Sequence, residues 1–170
     1  MSIKMIIATS SKEDGYHIGN DNKLLWQCKE DLSYFKKQTE GGCVVMGNTT
    51  FSSLPFKYGL PNRKNLVLSR KPRNSYLSQD VVWLSDCRHI LELKDTMLLP
   101  FKDLWICGGS QIYRQMLPYV SEIHHSTISG SYEDADTHFM MDFLYNGEWK
   151  LYSVEKLCDE ATVRVWKRVN

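Results

Sequence analysis

Asp31 lies in the segment Cys28-Lys29-Glu30-Asp31-Leu32-Ser33-Tyr34-Phe35-Lys36-Lys37-Gln38-Thr39. At about 100° per residue, a helix over 28–39 places Asp31, Leu32, Phe35 and Thr39 within one third of its circumference, and Lys29, Lys36 and Lys37 point away. An acid then shares the apolar flank. A solvated acid near a helix start is the ordinary alternative, because it favours the helix dipole. Leu32 and Phe35 on the same flank argue against that alternative, and burial beside them is expected to raise the carboxyl pKa.

Two further segments repeat one theme. Cys43-Val44-Val45-Met46 reads as a strand ending at Gly47, with Asn48-Thr49-Thr50-Phe51 opening a helix. Leu104-Trp105-Ile106-Cys107 reads as a strand ending at Gly108-Gly109, with Ser110-Gln111-Ile112-Tyr113 opening another. A strand, a glycine and a helix start present backbone N–H groups to an anion, and glycine lets a phosphate approach closely. Ordinary strand-to-helix turns use the same residues, so either motif alone is weak. Two in one chain point to a phosphate-rich ligand. Between them, Asn65-Leu66-Val67-Leu68-Ser69 is a buried strand bracketed by Arg63-Lys64 and by Arg70-Lys71 with Arg73. These bases either clamp two anionic groups or keep the strand ends polar. Leu60-Pro61-Asn62 reads as a turn.

The elements that must position these residues alternate between short apolar runs and helical stretches, the pattern of an α/β protein. Ile3 to Thr9 is a first strand, and Ser10 to Lys23 is a long glycine-containing loop suited to a lid. After Pro118 the chain turns β-rich, with strands expected at 122–129, 149–156 and 161–169, the last two returning antiparallel around Asp159-Glu160.

At 170 residues the chain is sized for one domain over 1–170. Its 21 Lys and Arg against 20 Asp and Glu leave a net charge of +1, which supplies no global field for DNA or an anionic membrane. The five cysteines, Cys28, Cys43, Cys87, Cys107 and Cys158, form no C-x-x-C pair, which argues for a reducing, cytoplasmic setting. No signal-peptide core or membrane span is read. His124 and His125 are strand neighbours facing opposite sides, and no metal site is expected. Cys107 has no histidine placed to activate it.

In this order, the residues resemble dihydrofolate reductases. The resemblance runs nearly end to end. It rests on Ile18-Gly19-x4-Leu24-Leu25-Trp26-x4-Asp31-x3-Phe35-x3-Thr39, on Val44-Val45-Met46-Gly47-x2-Thr50-Phe51 with Leu54-Pro55, and on Leu60-Pro61-Asn62-Arg63-Lys64-Asn65-x2-Leu68-Ser69. Ile106-x-Gly108-Gly109-x3-Tyr113 and Asp136-Thr137-x-Phe139 complete it. It implies one α/β domain with a mixed, mostly parallel eight-stranded sheet, an antiparallel C-terminal strand and about four flanking helices.

It also implies NADPH-dependent reduction of dihydrofolate, by hydride transfer to C6 and protonation at N5. Asp31 would bind the pterin 2-amino group and N3, Thr127 would bond Asp31, and Trp26 would hold a water and wall the pocket. Ile6, Leu32, Phe35 and Leu54 would line the pterin and aminobenzoyl slot, with the carbonyls of Ile6 and Cys107 near the pterin. Arg63 would meet the glutamate α-carboxylate.

Cofactor contacts would come from Ala8 and Ile18, from Gly47, Thr49 and Thr50, and from Leu68, Ser69 and Arg70, the last two at the 2′-phosphate. Gly108, Gly109, Ser110, Gln111, Ile112 and Tyr113 would supply the rest, with a cis peptide between the two glycines. Residues 14–25 would be the lid and Asp136 its latch. Partners would be dihydrofolate and antifolates, with no nucleic acid or membrane and a monomer as the working state. Three residues depart from the family pattern: Leu25 stands for Pro, Asn48 for a base and Phe51 for Trp. The rivals are the riboflavin-pathway pyrimidine reductase, which shares this fold, and a nucleotide-binding module that turns nothing over.

Overall fold

The computed structural model describes residues 2–21, 23–71, 79–95, 101 and 103–169. Its strands are β1 (Ser2–Thr9), β2 (His17–Gly19), β3 (Cys43–Gly47), β4 (Lys64–Leu68), β5 (Val81–Leu84), β6 (Asp103–Ile106), β7 (Glu122–Ile128), β8 (Thr137–His138), β9 (Trp149–Lys156) and β10 (Ala161–Arg168). Its α-helices are α1 (Lys29–Thr39), α2 (Asn48–Ser53), α3 (Arg88–Asp95) and α4 (Ser110–Met116). Eight strands form one sheet in the order β5-β4-β3-β6-β1-β7-β10-β9, and β2 pairs with β8 in a separate two-stranded ladder. Short β5 and α3 are additions to the sequence reading, as is the β2–β8 ladder inside the expected loop.

The chain divides into two compact units, Met1–Lys4 with Thr39–Tyr119, and Met5–Gln38 with Val120–Asn170. In the first, β3 pairs in parallel with β4 on one side and β6 on the other, and β4 pairs in parallel with β5. Residues Cys43 to Met46 are buried without alternation, as a parallel strand covered on both faces requires. Val44, Leu66, Leu104, Ile106 and Met116 are among its fully buried side chains. The turn before β4 is held from inside. The buried Asn65 accepts from Leu60 N–H at 2.9 Å and donates to the carbonyls of Leu60 and Arg63 at 3.1 and 2.9 Å. Asn62 takes the left-handed conformation at φ 58°, which asparagine tolerates better than most residues.

In the second unit β10 runs antiparallel to both β7 and β9, with Ala161 opposite Ile128 and Thr162 opposite both Thr127 and Lys156. The register of β7 against β10 is unbroken, so its side chains alternate strictly between two faces. That parity decides what α1 meets.

Candidate active site

Three side chains of the α1 segment step along β7. Cys28 packs in one apolar cluster with Ile128. The Ser126 hydroxyl hydrogen-bonds the Asp31 carboxylate. Tyr34 donates to His124 Nδ1 at 2.7 Å, and His124 Nε2 in turn meets Glu122 Oε1 at 2.8 Å. Every third helix residue therefore matches every second strand residue on one face, as the two periodicities allow. A carboxylate can only accept, so His124 donates from Nε2, and the neutral ring accepts the Tyr34 proton at Nδ1.

Asp31 is half-buried in the first turn of α1. Burial is the larger influence on its carboxyl and pushes its pKa above the usual carboxylate range; the Ser126 hydrogen bond pulls the other way. Thr127 was the expected partner, and the structure corrects this. Thr127 lies one residue on in a strictly alternating strand, so it faces the side away from α1, where Arg164 reaches its hydroxyl at 3.4 Å. His125 shares that face. Its Nε2 lies 2.8 Å from Thr9 Oγ1, whose one proton goes to the Ser10 carbonyl, so the imidazole is the donor. Burial, with Arg164 nearby, holds its pKa down at about 3.

The helix flank also differs from expectation. Tyr34 is buried in place of Leu32, which is 53% exposed, while Phe35 is half-buried and Thr39 fully buried. Trp26 is half-buried, packs with Ala8 against the Cys28–Ile128 cluster, and meets Tyr132 edge-on at 5.4 Å. Ile6 is buried in β1.

The long loop is tied down at several points. Asn20 and Lys23 exchange backbone hydrogen bonds at 3.0 and 2.9 Å. Asp136 Oδ2 accepts from Asp21 N–H at 2.8 Å, and its Oδ1 accepts from the Thr137 hydroxyl at 2.7 Å. These two bonds hold the Asp136 carboxyl below its ordinary pKa. Ile18 is half-buried in β2, and Asn22 lies outside the described residues.

In the other unit the two glycine turns touch. Gly47 N–H donates to Gly108 O at 2.8 Å. A Cβ on Gly47 would come within 3.2 Å of Ile112 Cγ1, and one on Gly109 within 3.4 Å of Thr50 Oγ1. Gly108 has φ 114°, and its Cβ would meet Tyr113 Oη at 3.1 Å. The Gly108–Gly109 peptide is cis. Both turns thus carry bare backbone at close quarters and each opens a helix; in α4 the Ile112 and Tyr113 N–H groups bond the Gly109 carbonyl at 3.0 Å, which leaves those of Ser110 and Gln111 without partners in the helix. That donor set fits a phosphate-bearing cofactor. Thr49 and Gln111 are exposed and Ser110 half-exposed around these turns. Asn48 Oδ1 is buried with no hydrogen-bond partner among the described residues, and Phe51 packs edge-on against Trp83 at 5.2 Å.

Arg63 does not stand out as an open clamp. It is 6% exposed, donating from Nε to Thr39 Oγ1 at 2.9 Å and from a terminal nitrogen to Pro61 O at 2.7 Å. Lys64 donates to the Gln79 carbonyl, so the basic cluster before β4 is partly consumed internally. Leu68, which ends β4, is buried, and Arg70 beyond it is exposed. The Ser69 hydroxyl is paired locally, donating to Lys71 O at 3.0 Å and accepting Lys71 N–H at 3.2 Å. Arg73 lies outside the described residues. Leu54 is half-buried beyond α2. Cys107, half-buried after β6, has its thiol pKa pushed up by burial.

The family profile described as dihydrofolate reductase matches residues 2–165. This chain belongs to the dihydrofolate reductase family. Dihydrofolate reductase of Bacillus subtilis is 33% identical over 141 residues, covering 82% of this chain and 76% of that one. The Buchnera aphidicola (subsp. Schizaphis graminum) dihydrofolate reductase is 36% identical over 141 residues, covering 82% and 79%. Among solved structures, dihydrofolate reductase from Enterococcus faecalis complexed with NADP(H) and RAB-propyl superposes with a TM-score of 0.79 over 99% of this chain and 97% of that one. At 23% identity that likeness establishes the dihydrofolate reductase fold.

Sequence reasoning missed Ser126 and Tyr34. Their signal was present in the alternation Glu122, His124, Ser126, Ile128, which becomes readable once α1 is known to lie on that face. Among the described residues no helix is long and apolar enough to cross a membrane.

Proposed function

We propose that the chain reduces 7,8-dihydrofolate to 5,6,7,8-tetrahydrofolate with NADPH. The observation that carries this reading is the half-buried Asp31, whose carboxyl pKa is raised by burial and lowered only by the neutral Ser126 hydroxyl. Such a carboxylate suits a flat heterocycle offering two parallel N–H donors, as the pterin 2-amino group and N3 do.

Asp31 orients the ring through that fork, and Ser126 keeps the carboxylate turned toward it. Trp26, braced by Tyr132, walls the slot and holds the water that passes a proton toward N5. Phe35, Leu54 and Ile6 cover the rings, and the exposed Leu32 gains cover when substrate binds. Arg63, fixed by Thr39 and Pro61, meets the glutamate α-carboxylate as a fork that lysine cannot reproduce.

When bound, NADPH supplies the hydride from nicotinamide C4 to substrate C6. Backbone N–H groups of the Gly47 and Gly108–Gly109 turns, with Thr49, Thr50, Ser110, Gln111 and Ile112, hold its diphosphate, and Tyr113 lies by the nicotinamide with Ala8 and Ile18. Arg70, with Ser69 shaping its turn beside Leu68, reads the 2′-phosphate. Asn48 in place of a base leaves Arg70 most of that task. Residues 14–25 cover the nicotinamide, with Asp136 as latch.

The free cysteines suit a reducing cytoplasm, and a monomer suffices for this chemistry. Steady-state turnover tests the reading. Dihydrofolate is expected to drive loss of NADPH absorbance, faster than NADH at equal concentration. No turnover with dihydrofolate, or turnover only with a ribitylamino-pyrimidine phosphate, would contradict it.

A further inference from the structure

Cys28 and Cys158 lie 130 positions apart, yet their Sγ atoms are 4.0 Å apart, and Glu30 Oε2 stands 3.8 Å from Cys28 Sγ. The three ligand atoms all lie within 4.8 Å of one another. We propose that Cys28, Glu30 and Cys158 form a binding site for a borderline-soft divalent cation, zinc by preference, with water as a fourth ligand.

The distances favour a shared ion over a disulfide. Two thiolates on tetrahedral zinc, each at about 2.3 Å, stand roughly 3.8 Å apart, whereas a disulfide needs about 2.0 Å. The present spacing is nearly that of the coordinated state.

Rigid elements hold the ligands. Cys28 occupies the position before α1, its carbonyl accepting Leu32 N–H at 3.1 Å. Cys158 opens the turn from β9 to β10, closed by hydrogen bonds between Cys158 and Ala161 at 3.2 and 3.4 Å. The apolar side of the site is Ile128, Ala161, Trp26 and Leu157. Its other side is open. Glu30 is exposed, Cys158 is half-exposed, and Glu30 and Leu157 also line a surface cleft of about 350 Å³ beside the site.

Charge fits as well. Two thiolates and a carboxylate bring three negative charges, and zinc leaves a net of about one, which Lys29 along the same cleft offsets, while Lys156 there is paired with Asp159 at 2.7 Å and Glu155 adds an acid. On binding, each thiol releases its proton to solvent as its Zn–S bond forms, so affinity rises with pH. Asp31 follows Glu30 directly, and an ion here would stiffen the first turn that carries it.

The probe is Zn²⁺ competed against a chromophoric chelator on the full chain, with Co²⁺ as a spectroscopic substitute. One ion per chain and a sulfur-to-cobalt charge-transfer band are expected. Cys158→Ser should weaken zinc by more than about 100-fold and abolish the band, since even outer-shell partners are worth ~10–100-fold. Glu30→Gln changes only an exposed side chain, so it folds in any case, and should weaken zinc about 10-fold. Cys87→Ser, far along the chain, should leave affinity unchanged. Absence of stoichiometric binding, affinity surviving either Cys158→Ser or Glu30→Gln, or a Cys28–Cys158 disulfide in place of the ion would overturn the site. None of these readouts depends on turnover.

Discussion

Ser126 hydrogen-bonds the Asp31 carboxylate from the face of β7 that also carries His124 to Tyr34. The bond favours the charged acid, while burial favours the neutral one. Ser126→Ala should therefore raise the Asp31 pKa further and move the acid limb of the turnover profile upward by about one pH unit, since a hydrogen bond to a charged group is worth roughly 1.5–3 kcal/mol when intact. Thr127→Val, on the other face, should leave that limb in place. A shift with Thr127→Val and none with Ser126→Ala would reverse the assignment.

Asp31 also costs stability. Its folded pKa is raised above the unfolded value, so the folded state binds more protons between the two, and stability falls as pH rises through that window. The cost is absent below about pH 3.9, where both states are protonated, and complete above the folded pKa. Asp31→Asn should therefore be more stable than the parent at neutral pH by about 1 kcal/mol, a few degrees in Tm. The two should converge in acid. Melting curves at several pH values, with a chelator present, read this directly.

Gly108 tests the cofactor turn. Its φ of 114° and the 3.1 Å approach of Tyr113 Oη leave no room for a methyl group. Gly108→Ala should cost roughly 1–3 kcal/mol of stability and raise the KM for NADPH far more than that for dihydrofolate. Equal effects on both would indicate general loosening rather than damage to a cofactor cradle.

Asp136 tests the latch. Removing its acceptor oxygens with Asp136→Ala frees Asp21 N–H and the Thr137 hydroxyl. Amide exchange at Asp21 and proteolysis within 14–25 should speed up several-fold, with the main melting transition nearly unmoved, because the contact is wholly at the surface. The depressed Asp136 pKa means the parent keeps this bond until the pH falls below the ordinary aspartate range. Unchanged exchange at Asp21 would remove Asp136 from the lid.

The strand–glycine–helix turns were legible because their chemistry is local. Gly47 and Gly108 each stand between a buried strand and a helix start, a pattern readable within a few residues, although the side chain that crowds Gly47 is the distant Ile112. Asp31 on an inward flank was legible from helical period. The centre of that flank was not. Periodicity alone could not distinguish Leu32 from Tyr34, because the choice depends on where His124 waits across the helix–strand interface. The same missing parity made Thr127 look equivalent to Ser126. Arg63 read as either an anion clamp or a polar strand flank, since the run of bases does not show that Thr39 and Pro61 enclose it. The Cys28–Cys158 pair has no spacing signal at all; only the β9–β10 turn brings it together.

The most direct test of the central claim is the pH profile of dihydrofolate turnover by Asp31→Asn against the parent, measured with NADPH and a chelator present. A loss of about 10²- to 10⁴-fold near neutral pH is predicted, with NADPH affinity largely kept, shrinking in acid where substrate arrives already protonated. A variant as active as the parent, or a loss that stays constant across pH, would contradict the account.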